Sequence, residues 1–467
     1  MSFFTAKFFG CFAVAFLCWW AWPNRWRRPF LALLNLAFAL LFGARVAVLL
    51  LVLTAVGWLA GQQLAAHRAK GRLFGWVTIC LLPLLAYKYL PVLWPEVSGL
   101  LAPLGLSFYT FKTISYLIEI HRGRQLPVRS FVDYFCYIGF FPQLPMGPIQ
   151  RPQPFFDRLN RLPAKLDTVL AWSGCTRLCW AMFLKKCIAD PMVTYQAALV
   201  SPERYYPLSM VWSLVAYSLY LYFDFAAYSQ LAIGLGELLG LPCKENFRSP
   251  YFATSLGDFW HRWHISLSGF LQEYVYFPLG GSRNGVPKLI LATMATFLLS
   301  GVWHGATGGF LIWGALHGMC LLLGRATKKM RDGFWRVWPA AVGGPVRSVC
   351  GWALTMLLVG VGWLFFYAET LPAALSILQE MFAPAAFSLQ YVKESITLLG
   401  LTPKVLTVRG GLLAIAAAVD FASRKEGFGS WMSRLPVWVR VALCYVFVFG
   451  CLFWGEASSL PGVYFQF

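Results

Sequence analysis

Apolar residues run through this chain in long blocks. Those at positions 8–22, 46–60, 74–93, 208–225, 289–299, 308–323, 349–366 and 437–454 carry at most a single charge each. A helix needs about 17 to 25 predominantly apolar residues to cross a bilayer. Several blocks are shorter, which predicts broken, tilted or bundle-buried segments. The pattern as a whole predicts an all-α integral membrane protein with roughly ten to twelve membrane segments. The first block has only Lys7 ahead of it and no small-x-small site behind it. It leaves through Trp19-Trp20-Ala21-Trp22-Pro23 toward Arg25, Arg27 and Arg28. It therefore reads as a retained helix with an aromatic and basic border, not as a signal peptide.

The polar positions divide the chain. No linker long enough to separate soluble domains is visible, so residues 1–467 read as one membrane domain in three parts. Residues 1–100 are N-terminal helices with few polar groups. Residues 101–323 place Gly, Pro, His, Arg and Asp where a simple spanning helix would have none. Residues 324–467 open with a basic Gly- and Pro-containing loop, 324–348, and return to plain spans. Polar groups in lipid are costly unless they face a cavity or a partner, so the middle part is where chemistry is expected. Within it, Phe140–Ile149 has three prolines, Pro142, Pro145 and Pro148, and cannot be a regular helix. Such backbone survives at membrane depth only when buried in protein or lining a cavity. The stretch Lys244–Arg283 is too polar to span and is aromatic throughout. It predicts re-entrant or interfacial helices, with Trp260, Trp263, Tyr274 and Tyr276 at headgroup level.

Composition supports this picture: 59% of residues are hydrophobic and 12% charged, about half the charge of an ordinary soluble domain. The net charge of +20 would suit a nucleic-acid binder, but clusters such as Arg25/Arg27/Arg28 and Arg325/Lys328/Lys329/Arg331 fit basic cytoplasmic loops. No nucleic-acid partner is expected. A basic face would also attract a phosphate-bearing donor. The twelve cysteines lie mostly inside apolar runs as small hydrophobes, with no CxxC or Cys/His metal spacing, so no metal site is expected.

Four of the six histidines, His261, His264, His304 and His317, fall within 57 residues. His304 stands in Ser300-Gly301-Val302-Trp303-His304-Gly305-Ala306, at the end of one apolar run. His317 stands in Trp313-Gly314-Ala315-Leu316-His317-Gly318, inside the next. Small flanking residues permit close helix approach or substrate access. An intramembrane histidine can be interhelical glue or a functional group. For His304 the adjacent tryptophan, the glycines and the second histidine nearby favour function. A neutral imidazole in a low-dielectric cavity suits a general base for a hydroxyl. His317 is the lesser candidate, shaping the cavity if it does not react. His261 and His264 would share a face of a continuous helix, at i and i+3. Asp224, in Tyr222-Phe223-Asp224-Phe225, requires a partner; Lys185, Lys186 and Arg248 are candidates, which favours a structural role. Arg151, after the rigid Gly147-Pro148 turn, suits a phosphate or carboxylate contact, or an anchoring role.

Several motifs, taken in order, resemble the membrane-bound O-acyltransferase family. They are Asp258-Phe-Trp-His-Arg-Trp-His264-Ile-Ser-Leu-Ser268, Leu279-Gly-Gly-Ser-Arg283, Gly301-Val-Trp-His304-Gly-Ala306 and Trp313-Gly-Ala-Leu-His317-Gly318. Further matches are Pro103-Leu-Gly-Leu-Ser107, Gly147-Pro-Ile149, Lys185-Lys186 with Asp190, Tyr222-Phe-Asp224 and the terminal Tyr464-Phe-Gln-Phe467. The likeness is densest over about residues 100–320 and is strongest to the bacterial polysaccharide O-acetyltransferase branch, of the alginate and peptidoglycan type. His261 departs from it, standing where the alginate-type proteins favour arginine.

The resemblance implies a ring of helices around a central funnel, with His304 as the essential histidine deep inside and His264 as the second member of a catalytic pair. Further cavity or substrate contacts would come from His317, Trp303, Trp263, Asp224, Tyr222, Arg151 and Asn246. It implies a multi-pass protein of the bacterial cytoplasmic membrane, holding no permanent cofactor. The donor would be acetyl-CoA or another acyl thioester on the cytoplasmic side. The acceptor would be a cell-surface polysaccharide or an extracytoplasmic acetyltransferase partner, with membrane lipid around the protein. A related branch moves D-alanine from a carrier protein toward teichoic acid. Two other readings fit hydrophobicity and intramembrane charge alone. They are a transporter or flippase, which would often show two related halves, and a non-catalytic scaffold of an export complex. With no strong nucleophile beside His304, direct transfer without an acyl-enzyme is expected.

Overall fold

The computed structural model describes residues 3–94, 96, 103–368, 370–457, 460 and 462, and of Ala340 the backbone alone. The terminal Tyr464–Phe467 motif lies outside the described residues. Among the described residues every regular element is a helix. This is the outcome lipid imposes, since a helix satisfies its backbone groups within one segment. The chain is an all-α integral membrane protein. Among the described residues eight helices are long and apolar enough to span, and Ala6–Ala21 is apolar but shorter. Seven of the eight cover apolar blocks identified above. The eighth, Pro403–Ser423, is interrupted by Arg409, Gly410 and Gly411 and does not stand out as a block.

The chain divides into two compact units, with boundaries after Met182, Ala226 and Glu245. In the first, the helices Ala6–Ala21, Asn24–Leu41, Ala44–Ala66, Lys70–Leu93 and Leu106–His121 accompany the proline-rich stretch. That stretch is irregular and buried from Phe140 to Gln150, as its prolines require. Its backbone finds local partners: Phe141 N–H donates to Asn35 Oδ1 (3.0 Å) and Gly147 N–H to the Gln143 carbonyl (3.0 Å). Arg177, also buried, donates to Glu237 Oε1 (3.1 Å) and Glu245 Oε1 (2.8 Å), neutralising a cation that could not be left unpaired there.

The second unit holds the helices Val286–His304, Gly308–Ala326, Ala340–Tyr367, Pro403–Ser423 and Val437–Trp454, with all the short helices of residues 250–276. Two expectations change here. Residues 324–348 are not a loop: a short helix, Lys328–Arg336, is followed by a helix that begins at Ala340 and runs through Pro345, which costs it one backbone hydrogen bond. The polar stretch 244–283 does break into pieces too short to span, Leu256–Arg262, Ile265–Leu271 and Gln272–Tyr276. Trp263, however, is 4% exposed, packed inside the protein among Phe247, Phe259 and Trp363.

Candidate functional site

The site grows from the way the segment around His264 is folded. Ser255 caps the helix Leu256–Arg262, its Oγ accepting from Asp258 N–H, and Arg262 Nε pairs with Asp258 one turn back (2.7 Å). The helix stops at Arg262, and His264 takes the left-handed conformation, φ 43° and ψ 54°. This conformation is uncommon outside glycine and persists where surrounding contacts hold it. The kink separates the two histidines that a continuous helix would have aligned. His261 is exposed while His264 is buried.

The contacts that hold His264 also define its proton. Asn246, fully buried, presents Oδ1 to Ser266 N–H (3.2 Å), Ser266 Oγ (2.8 Å) and His264 Nδ1 (3.2 Å). A backbone N–H can only donate, so the Asn246 atom is the carbonyl oxygen. His264 Nδ1 must then carry the hydrogen, leaving the lone pair on Nε2. Burial pushes the imidazole down to about 3, so the ring is neutral near pH 7.

His304 ends the helix Val286–His304 and is 5% exposed. Its ring lies against Trp303 (4.6 Å between centroids), Phe366 (4.9 Å) and Trp313 (5.1 Å). Trp303 also lies 6.2 Å from His264, so one indole touches both histidines. Close helix approach makes this possible. A Cβ on Gly301 would stand 2.3 Å from the Phe310 carbonyl oxygen, and one on Gly314 2.4 Å from that of Phe297. Only glycine lets the helices Val286–His304 and Gly308–Ala326 pack at that distance.

His317 is 1% exposed, among Trp313 (5.1 Å), Trp260 (5.2 Å) and Phe297 (6.3 Å). Neither of its ring nitrogens has a hydrogen-bond partner among the described residues. Its Nε2 lies 2.7 Å from where a Cβ on Gly362 would be. Trp263 extends the aromatic wall, contacting Tyr222 (6.1 Å) and Trp363 (4.9 Å), which stacks 6.3 Å from Trp313. The second unit thus brings His264, His304, His317, Trp303, Trp263, Tyr222 and Asn246 into one connected cluster.

Two further candidates fall differently. Asp224 is 0% exposed and takes Lys185 Nζ at 2.7 Å, and Lys185 also pairs with Asp190 at 2.7 Å. Lys185 is one of the three cations the sequence offered as its partner. Arg151 belongs to the other unit, where it precedes the helix Pro152–Asn160 as its N-cap residue.

Sequence reasoning missed Asp420. This buried carboxylate of the helix Pro403–Ser423 accepts Tyr222 OH at 2.8 and 2.9 Å. An acidic residue inside Leu412–Phe421, otherwise apolar, was the available signal, the same one that exposed Asp224. Trp363, Phe366 and Gly362 were missed for want of any signal beyond hydrophobicity. Among the described residues no three His, Cys, Asp or Glu side chains gather as metal ligands would.

Chemically, the cluster sets buried imidazoles among aromatic rings, a setting that suits proton removal from a hydroxyl. Comparison with known proteins agrees in kind. Residues 110–360 match the model of the membrane-bound O-acyltransferase family. The chain is 35% identical over 393 residues to the probable alginate O-acetylase AlgI of Pseudomonas putida, covering 79% of this chain and 76% of that protein. It is 32% identical to the peptidoglycan O-acetyltransferase of Helicobacter pylori, over 64% of this chain and 60% of that one. It is 30% identical to the teichoic acid D-alanyltransferase of Bacillus subtilis, over 58% and 71%.

Proposed function

The chain belongs to the membrane-bound O-acyltransferase family, and from that premise we propose that it moves an acetyl group from a cytoplasmic thioester, acetyl-CoA, to hydroxyls of a cell-surface polysaccharide or to a partner acetyltransferase. The enzyme is a multi-pass membrane acyltransferase, which favours this reading over the transporter and the scaffold. The observation that carries the proposal is the burial of His304 and His264, both against Trp303.

In this reading His304 is the general base. It takes the proton of the acceptor hydroxyl as the oxygen attacks the thioester carbonyl carbon. The carbon–sulfur bond breaks, the thiolate leaves, and the proton on His304 passes to it, giving a free thiol and a neutral imidazole. His264 has a different part. Depressed to about 3, it is a poor match for a base working near neutrality, where the best catalytic pKa lies close to the operating pH. Its Nε2 lone pair is suited to accept the acceptor hydroxyl's hydrogen bond and aim it. Asn246 is a positioning residue that fixes this tautomer. His317, Trp303, Trp263 and Tyr222 surround the pair, and the nitrogens of His317 suit a polar substrate group.

The experiment replaces His304 with alanine, confirms membrane insertion, and measures ester-linked acetyl and alanyl groups on the surface polymer. Loss of acetyl esters with normal insertion is expected. Unchanged acetylation removes His304 from the chemistry. Loss of alanyl esters instead reassigns the acyl group to D-alanine, as the Bacillus subtilis relative's name would suggest.

A further inference from the structure

The helix Lys328–Arg336 has no buried residue among its nine. Met330 and Phe334, one turn apart on it, are 71% and 58% exposed, and Val337 and Trp338, just past its end, are 83% and 46% exposed. Around them, residues 325–347 carry six Lys or Arg against one acid, Asp332. An exposed apolar stripe bordered by cations is the pattern of a helix lying in a membrane interface.

The geometry beside this stripe is more specific. Asp332 is braced between Lys328 Nζ (2.7 Å) on its own helix and Arg347 Nη2 (2.6 Å) on the next. These pairs hold its carboxyl below the usual range. The brace bounds a cleft of about 510 Å³, walled by Trp335, Trp338, Lys328, Arg336 and Arg347. Gly343 forms part of the wall, and a Cβ there would stand 2.8 Å from Trp338 Cβ, so bare backbone lets Trp338 approach closely. Arg336 has no carboxylate partner among the described residues. With one acid against three cations, the cleft keeps a positive balance.

We propose that this cleft seats the phosphate headgroup of an anionic membrane phospholipid, with Met330, Phe334 and Val337 among its acyl chains. Three cations on the cleft's wall match a phosphodiester. The adjoining apolar stripe selects a lipid over a soluble phosphate, which would have no use for it. Each cation near an anionic surface contributes about 1 kcal/mol, or about fivefold in affinity.

The test is native mass spectrometry of the full chain in mild detergent, titrated with phosphatidylglycerol or phosphatidylcholine. The wild type should retain phosphatidylglycerol preferentially. The double variant Arg336→Gln/Arg347→Gln should lose about 25-fold of that preference while eluting as a monodisperse species. Lys165→Gln, at an exposed cation elsewhere, should lose none. Equal retention of the two lipids, or an unchanged preference in the double variant, overturns the proposal. Displacement of phosphatidylglycerol by millimolar adenosine 3′,5′-bisphosphate would also overturn it, reassigning the cleft to a soluble phosphate ligand.

Discussion

The buried triad of Lys185, Asp190 and Asp224 separates a structural from a catalytic carboxylate. Both ion pairs are 2.7 Å and all three side chains are at most 1% exposed, so solvent screening is slight. Lys185→Met removes the cation that both carboxylates touch. Breaking a buried pair in this way costs about 3–5 kcal/mol, because a charge is left without compensation. Asp224→Asn instead leaves Lys185 and Asp190 as a balanced pair. It forfeits one charge-assisted hydrogen bond, about 1.5–3 kcal/mol, and part of that is offset by relieving the excess negative charge. Lys185→Met should therefore be the more damaging change, by about 2 kcal/mol between the midpoints of those ranges. The assay is thermal unfolding of the purified chain by tryptophan fluorescence, run beside acyl transfer in cells. Asp224→Asn should retain transfer in proportion to its folded amount. Transfer abolished at undiminished stability would mean that Asp224 touches substrate, and equal damage from the two variants would refute the charge argument.

Other consequences follow from single contacts. Gly301→Val places a side chain within 2.3 Å of the Phe310 carbonyl oxygen and should destabilise by about 1–3 kcal/mol or more. Gly257→Ala, where nothing lies within 4 Å, should stay within about 0.5 kcal/mol of wild type in the same melting assay. The His264 pKa lies lower folded, about 3, than its ordinary value of 6.5. Protonation thus favours the unfolded chain, with no penalty above about pH 7 and a growing one as pH falls from 6.5 toward 3. The slope approaches about 1.4 kcal/mol per pH unit, and His264→Gln should remove that part of a melting-versus-pH profile; an unchanged profile would contradict the burial argument. Asn246→Ala should lower kcat by about tenfold or more, with insertion intact, by releasing the tautomer of His264. An unchanged kcat would sink its positioning role.

The sequence alone determined the helical membrane class, because uninterrupted apolar blocks admit no other spanning structure here. It also determined that Phe140–Ile149 is irregular, since three prolines forbid a helix, and that Asp224 needs a cation, since an unpaired carboxylate in an apolar helix is costly. It nominated His304, His264 and His317 as candidates through motif and spacing. Only tertiary structure decided what these residues meet. The left-handed turn at His264 follows from the Asn246 and Ser266 contacts, and it sends His261 outward against the helical spacing. Asp420 joins Tyr222 from a helix 198 residues away in sequence; local pattern carries no record of such a pairing. The far part of the aromatic wall, Trp363 and Phe366, was invisible for a related reason. In a membrane chain a tryptophan facing lipid and one buried against a histidine satisfy the same hydropathy, and packing alone distinguishes them.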